Sequence, residues 1–190
     1  MTYLNEFKAA LTRAEKFKLS TPEISLTPNT VIMSEDKINN LSNIIAPVFE
    51  KILSYDELVG QCMSINLSAL PLLTEWLQCP VYYTIGWIDN GTEKGIYKFD
   101  DDFIEEKLTS GHKESLINLH VWLTLPSMEI IDLTICTSWA VLNHSEEGKG
   151  RVLIKNADDL TDIKYRPMLI GDDFLFRIGL IKPITWHEFN

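Results

Sequence analysis

Apolar residues in the first third of the chain recur at three- and four-residue steps, the period of an amphipathic helix. Leu4, Phe7, Leu11 and Ala14 predict one helix over about the first eighteen residues. Ile38, Leu41, Ile45, Phe49 and Ile52 predict a second, opening near Ser34 as N-cap, with Glu35 and Asp36 beside the positive end of its dipole. Pro47 removes a backbone donor inside this stripe and is expected to kink or split it. Between the two, Ser20 to Asn29 carries Pro22 and Pro28 among Ser and Thr and reads as a loop. Ile65, Leu67, Leu70 and Leu73 predict a largely buried third helix that starts at Cys62, runs to about Leu77 and is bent or shortened by Pro71.

Beyond Pro80 the pattern changes. Val81 to Ile88 is β-branched and aromatic and ends at Asn90-Gly91, which predicts a strand and a turn, with Ile96 to Phe99 returning as a hairpin. Leu119 to Leu125 and Ile130 to Leu133 predict two further strands joined through Pro126-Ser127. Val152 to Ile154, Met168 to Ile170 and Phe174 to Ile181 complete a β-rich second half, and Ser145 to Gly150 reads as a surface loop. Helices followed by an antiparallel sheet argue an α+β fold, expected as one domain over residues 1–190. Asp100, Asp101, Asp102, Glu105 and Glu106 lack the glycine and ligand register of a calcium loop and predict a solvated helix start.

With 190 residues, 45% of them hydrophobic, the chain can bury one sizeable core. A net charge of -10 repels phosphate backbones and anionic membranes, so a protein or small-molecule partner is expected, with neither nucleic acid nor membrane. Three cysteines, an odd number without CxxC spacing, leave a free thiol and favour a reducing compartment. No signal-type or membrane-length apolar run interrupts the sequence, so the expected site of synthesis is the cytoplasm, with later signal-independent export left open. Nothing calls for a metal or cofactor, and oligomeric state is not legible.

The chemistry centres on Gly60-Gln61-Cys62, which sets a thiol at a helix start, where a thiolate is stabilised. Of His112, His120, His144 and His187, only His120 falls within a clear strand pattern that would hold its ring rigidly. Asp132 follows on the next expected strand and can serve as the acceptor that fixes the imidazole tautomer. Taken singly, Cys62 reads as a buried core thiol, His120 as a satisfied sheet residue and Asp132 as a turn cap. Cys79 and Cys136 have no such partners and read as structural.

In that order the residues resemble the transglutaminase-like superfamily. Gly60-Gln61-Cys62 is similar to its Gly-Gln-Cys-Trp nucleophile motif, His120-Val121-Trp122 to its His-x-Trp strand, and Ile131-Asp132-Leu133-Thr134 to its Asp-Pro-Thr segment. The resemblance covers about residues 55–135, with Met63 in place of the Trp and Leu133 in place of the Pro. It implies a papain-type fold, with the nucleophile at a helix N-terminus packed on an antiparallel sheet, and the roles of nucleophile for Cys62, general base and acid for His120, and orienting acceptor for Asp132. The Cys62 N–H is expected in an oxyanion hole, with Gln61 as a candidate second donor and Trp87 and Trp122 as candidate walls of an acyl channel. The implied function is cysteine acyl transfer on a protein or peptide amide, as peptidase, glutamine deamidase or transamidase, in the setting of a bacterial toxin or effector. The alternatives are an arylamine-acetyltransferase-like reaction with a thioester donor, and a catalytically silent binding domain of the same fold.

Overall fold

The computed structural model describes residues 1–50 and 52–182; His187 lies outside them. The fold is α+β, built on a five-stranded antiparallel sheet in the order β4-β3-β2-β1-β5. Its strands are β1 (Tyr82–Asp89), β2 (His120–Thr124), β3 (Glu129–Asp132), β4 (Leu153–Asn156) and β5 (Lys164–Ile170).

Alternation along the strands sends side chains to two cores. Tyr83, Ile85, Val121, Leu123, Ile131 and Leu169 meet α2 (Glu35–Phe49), α3 (Cys62–Leu77) and α4 (Asp101–Ser110) on one face. Tyr82, Trp122, Ile130 and Tyr165 meet α1 (Tyr3–Lys16) on the other, through Tyr3, Phe7 and Ala10. The buried Tyr3 hydroxyl is spent on the sheet, accepting from Trp122 Nε1 at 2.8 Å and lying 2.7 Å from Thr124 Oγ1. Arg166 closes the far side of α1 by bridging Glu6 and Asp89.

Several local expectations change. Pro47 neither kinks nor splits α2, because it sits in the last turn with only Val48 and Phe49 behind it. Pro71 likewise leaves α3 continuous for 16 residues. Ile96 returns to β1 only as a single bridge to Ile88, so 96–99 is not a strand. The apolar segments 135–142 and 173–177 are helices, α5 (Ile135–Leu142) and α6 (Asp173–Arg177), and the strand expected over 174–181 does not form. Helices are therefore interleaved with strands rather than gathered ahead of them. The acidic run is a helix start: Asp100 caps α4 by accepting from Phe103 N at 3.0 Å, and Asp101 pairs with Arg13 and Lys16. Among the described residues, no helix is long and apolar enough to cross a membrane.

Candidate active site

Cys62 is the first residue of α3, reached from a short 3-10 turn (Tyr55–Leu58) through Gly60, whose φ of +80° suits a residue without a Cβ. Two long-range bonds hold this first turn against the sheet. Asn66, one turn on from Cys62, donates from Nδ2 to Cys62 O at 2.8 Å and to Val121 O at 3.0 Å. Tyr83 donates from its hydroxyl to Met63 O at 3.0 Å. The helix start is thereby tied to β2 at the residue after His120, and to β1. The opening amides of α3 have no acceptor within the helix, and their dipoles point at the thiol end.

His120 opens β2, paired with Gly86 of β1. A Cβ at Gly86 would lie 2.1 Å from Arg166 O and 2.6 Å from the Trp122 ring, so glycine is required for the indole to pass beneath the imidazole. The Trp122 ring stacks at 6.0 Å from the imidazole, Tyr97 stacks at 5.6 Å, and Tyr165 lies tilted at 6.5 Å.

Asp132 ends β3, fully buried, with both carboxylate oxygens occupied. Oδ1 accepts from the Thr134 and Ile135 amides at 3.0 Å each and from Thr134 Oγ1 at 3.3 Å, which seats the start of α5 on the carboxylate. Oδ2 lies 2.5 Å from His120 Nε2 and accepts from Tyr165 Oη at 2.9 Å. Asp132 is thus a turn cap and a histidine partner at once.

Burial alone drives the imidazole toward its neutral form. The charge and hydrogen bond of Asp132, followed by those of Cys62, outweigh it and raise the His120 pKa from 6.5 to about 10. Burial likewise works against the Asp132 carboxylate, and His120 and the two α5 amides overcome it, holding its pKa below the usual range. At neutral pH the pair is imidazolium and carboxylate. Nε2 is committed to Asp132, and Nδ1 is the ring nitrogen left over. The phenols of Tyr83 and Tyr97 are raised first by burial and then by the neighbouring Cys62.

The remaining candidates fall in different places. Gln61 precedes α3 with its carboxamide oxygen accepting from Ser64 Oγ at 2.8 Å, a local bond at the helix start. Trp87 is half-buried on the α3 face of the sheet, with Lys98 Nζ 5.2 Å above its ring. Trp122 is fully enclosed, so the channel wall expected of it gives way to a packing role behind His120. Cys79 and Cys136 are free thiols, and burial raises both. Asn66, Tyr97 and Tyr165 were not legible as site residues, although helical spacing does put Asn66 one turn from Cys62 as a polar residue among Ile65, Ala69 and Leu73. A cavity of about 810 Å³ between α2, the 3-10 turn and β4 is lined by Leu133 but not by Cys62, His120 or Asp132.

No protein-family model, curated protein or solved structure matches the chain.

Proposed function

We propose that the protein is a cysteine acyl-transfer enzyme acting on an amide through Cys62, His120 and Asp132, with a papain-type, transglutaminase-like arrangement. The reading is carried by the 2.5 Å His120–Asp132 pair, which commits Nε2 to the carboxylate, together with the place of Cys62 at the start of α3, a helix tied to β2 at Val121 beside His120. That polarity suits the chemistry. The Cys62 sulfur adds to the amide carbon and the carbonyl oxygen gains charge near the unpaired amides of the first turn of α3. As the C–N bond breaks, His120 delivers its proton to the leaving nitrogen, and a thioester remains on Cys62. Water, deprotonated by the neutral imidazole, then attacks the thioester, and carboxylic acid and free thiol are released. An amine in place of water gives transamidation by the same steps. Asp132, held by five donors, keeps the imidazole in orientation and balances its charge.

Ammonia release from a glutamine-rich protein such as casein, with and without added primary amine, tests this. Release by the wild type and none by Cys62→Ala is the expected result, and amine incorporation would mark transamidation. Release that survives in Cys62→Ala would remove the nucleophile assignment.

A further inference from the structure

Three aromatic rings surround the His120 imidazole, and they differ in where they stand. Trp122 and Tyr165 are sealed in the core, 0% and 2% exposed. Tyr97 is half-buried and lies nearly parallel to the imidazole, 17° between planes at a centroid distance of 5.6 Å. It is therefore the ring between the imidazole and solvent. The groups beneath it are barely accessible, with Cys62 at 9% exposure and His120 at 2%. An acyl donor that reaches the imidazole from the solvent side meets this ring first.

The backbone supports a positioned role. Tyr97 has φ +60°, the left-handed region that residues with a Cβ rarely occupy. Anchors on both sides hold it there. Ile88 N donates to Ile96 O at 3.0 Å and Ile96 N to Ile88 O at 2.8 Å, immediately before it. Asn118 Nδ2 donates to Lys98 O at 2.9 Å, immediately after. The Tyr97 hydroxyl makes no hydrogen bond among the described residues, so the ring is held by packing and stacking alone.

We infer that Tyr97 is a specificity-determining residue of the Cys62 site, its ring roofing the imidazole and thiol so that slender acyl groups enter and groups bulky beyond the reacting carbon do not. The inference rests on the acyl-transfer reading, in which Cys62 is the reacting atom. Its position also explains why the Tyr97 phenol, raised mainly by burial, is raised further by Cys62 and Asp132.

Two reagents of one chemistry but different width test it: iodoacetamide and its N-phenyl derivative, with the site of alkylation read by peptide mass mapping. The variant Tyr97→Gly removes the ring and relieves the positive φ at once, and Tyr97→Phe keeps the ring. At Cys62, Tyr97→Gly is expected to raise the N-phenyl rate relative to iodoacetamide by about tenfold, with Tyr97→Phe within about twofold of wild type. An unchanged ratio in Tyr97→Gly, with Cys62 still alkylated by both reagents, overturns the roof and leaves the acyl-transfer reading standing. Cys62 inert to iodoacetamide in every variant overturns both.

Discussion

Strand β3 ends in two buried carboxylates that do different work. Glu129 and Asp132 are three residues apart and so face opposite sides of the sheet. Glu129 accepts from the amides of Ile32 at 2.7 Å and Met33 at 3.2 Å, and from Ser127 Oγ at 2.6 Å. Every one of these donors is neutral and fixed, and the result is a staple that docks the segment leading into α2. Asp132 uses one oxygen in the same way, on the amides that open α5, and gives the other to an imidazole that also feels a thiol. Burial and hydrogen-bond satisfaction alone thus do not mark a site. What sets Asp132 apart is its titratable partner, His120.

The comparison breaks most sharply by neutralising each carboxylate in turn. Asp132→Asn is expected to slow iodoacetamide alkylation of Cys62 at pH 6 by at least about tenfold, because the imidazolium loses its counter-charge. Glu129→Gln should leave that rate within about twofold and instead lower unfolding stability in urea by roughly 1–3 kcal/mol, through the weakened bonds to Ile32, Met33 and Ser127. Equal effects of the two substitutions on alkylation would erase the distinction.

A smaller effect comes from pH. His120 has a raised pKa, so its contribution to stability is complete below its unfolded value of 6.5 and is lost as pH rises toward about 10. Asp132 has a lowered pKa, so its contribution is present above its unfolded value of 3.8 and is lost as pH falls through the folded value. Urea midpoints should therefore decline between pH 6.5 and 10 more steeply for the wild type than for His120→Gln. Parallel declines would mean that the imidazole is not held charged by the fold.

Tyr165→Phe is expected to have the mildest effect, a stability loss of about 1.5 kcal/mol from one donor to a charged acceptor. Without that donor Asp132 attracts the imidazolium proton more strongly, so the His120 titration followed by NMR should move upward. A downward shift would assign Tyr165 a different role.

The three helices before β1 and the first three strands were legible because periodic apolar stripes and β-branched runs are local signals. Cys62, His120 and Asp132 were each legible as types in place, on a helix start and on strands. Helix α5 was not, since Ile135-Cys136-Thr137 is apolar and β-branched, and its helical start depends on amides captured by Asp132 from the preceding strand. Phe174 to Ile181 carries an apolar run that fits strand or helix, and local bonds such as Ile178 N to Phe174 O decide for α6. The first half of β5 was hidden by Lys164, Arg166 and Pro167; proline is tolerated because β5 is an edge strand and Pro167 pairs with Gly86 where the register shifts. With it went Tyr165. Tyr97 was obscured because its place over His120 follows from a loop backbone conformation that composition does not announce.

The account's central claim is that His120, charged by Asp132, makes Cys62 reactive. The direct measurement is the rate of Cys62 alkylation by iodoacetamide at pH 6 in wild type and His120→Ala, with Cys79 and Cys136 as internal references. The account predicts that Cys62 outpaces both references in the wild type, and that His120→Ala slows it by at least about tenfold while leaving them unchanged. Equal Cys62 rates in the two proteins would contradict it.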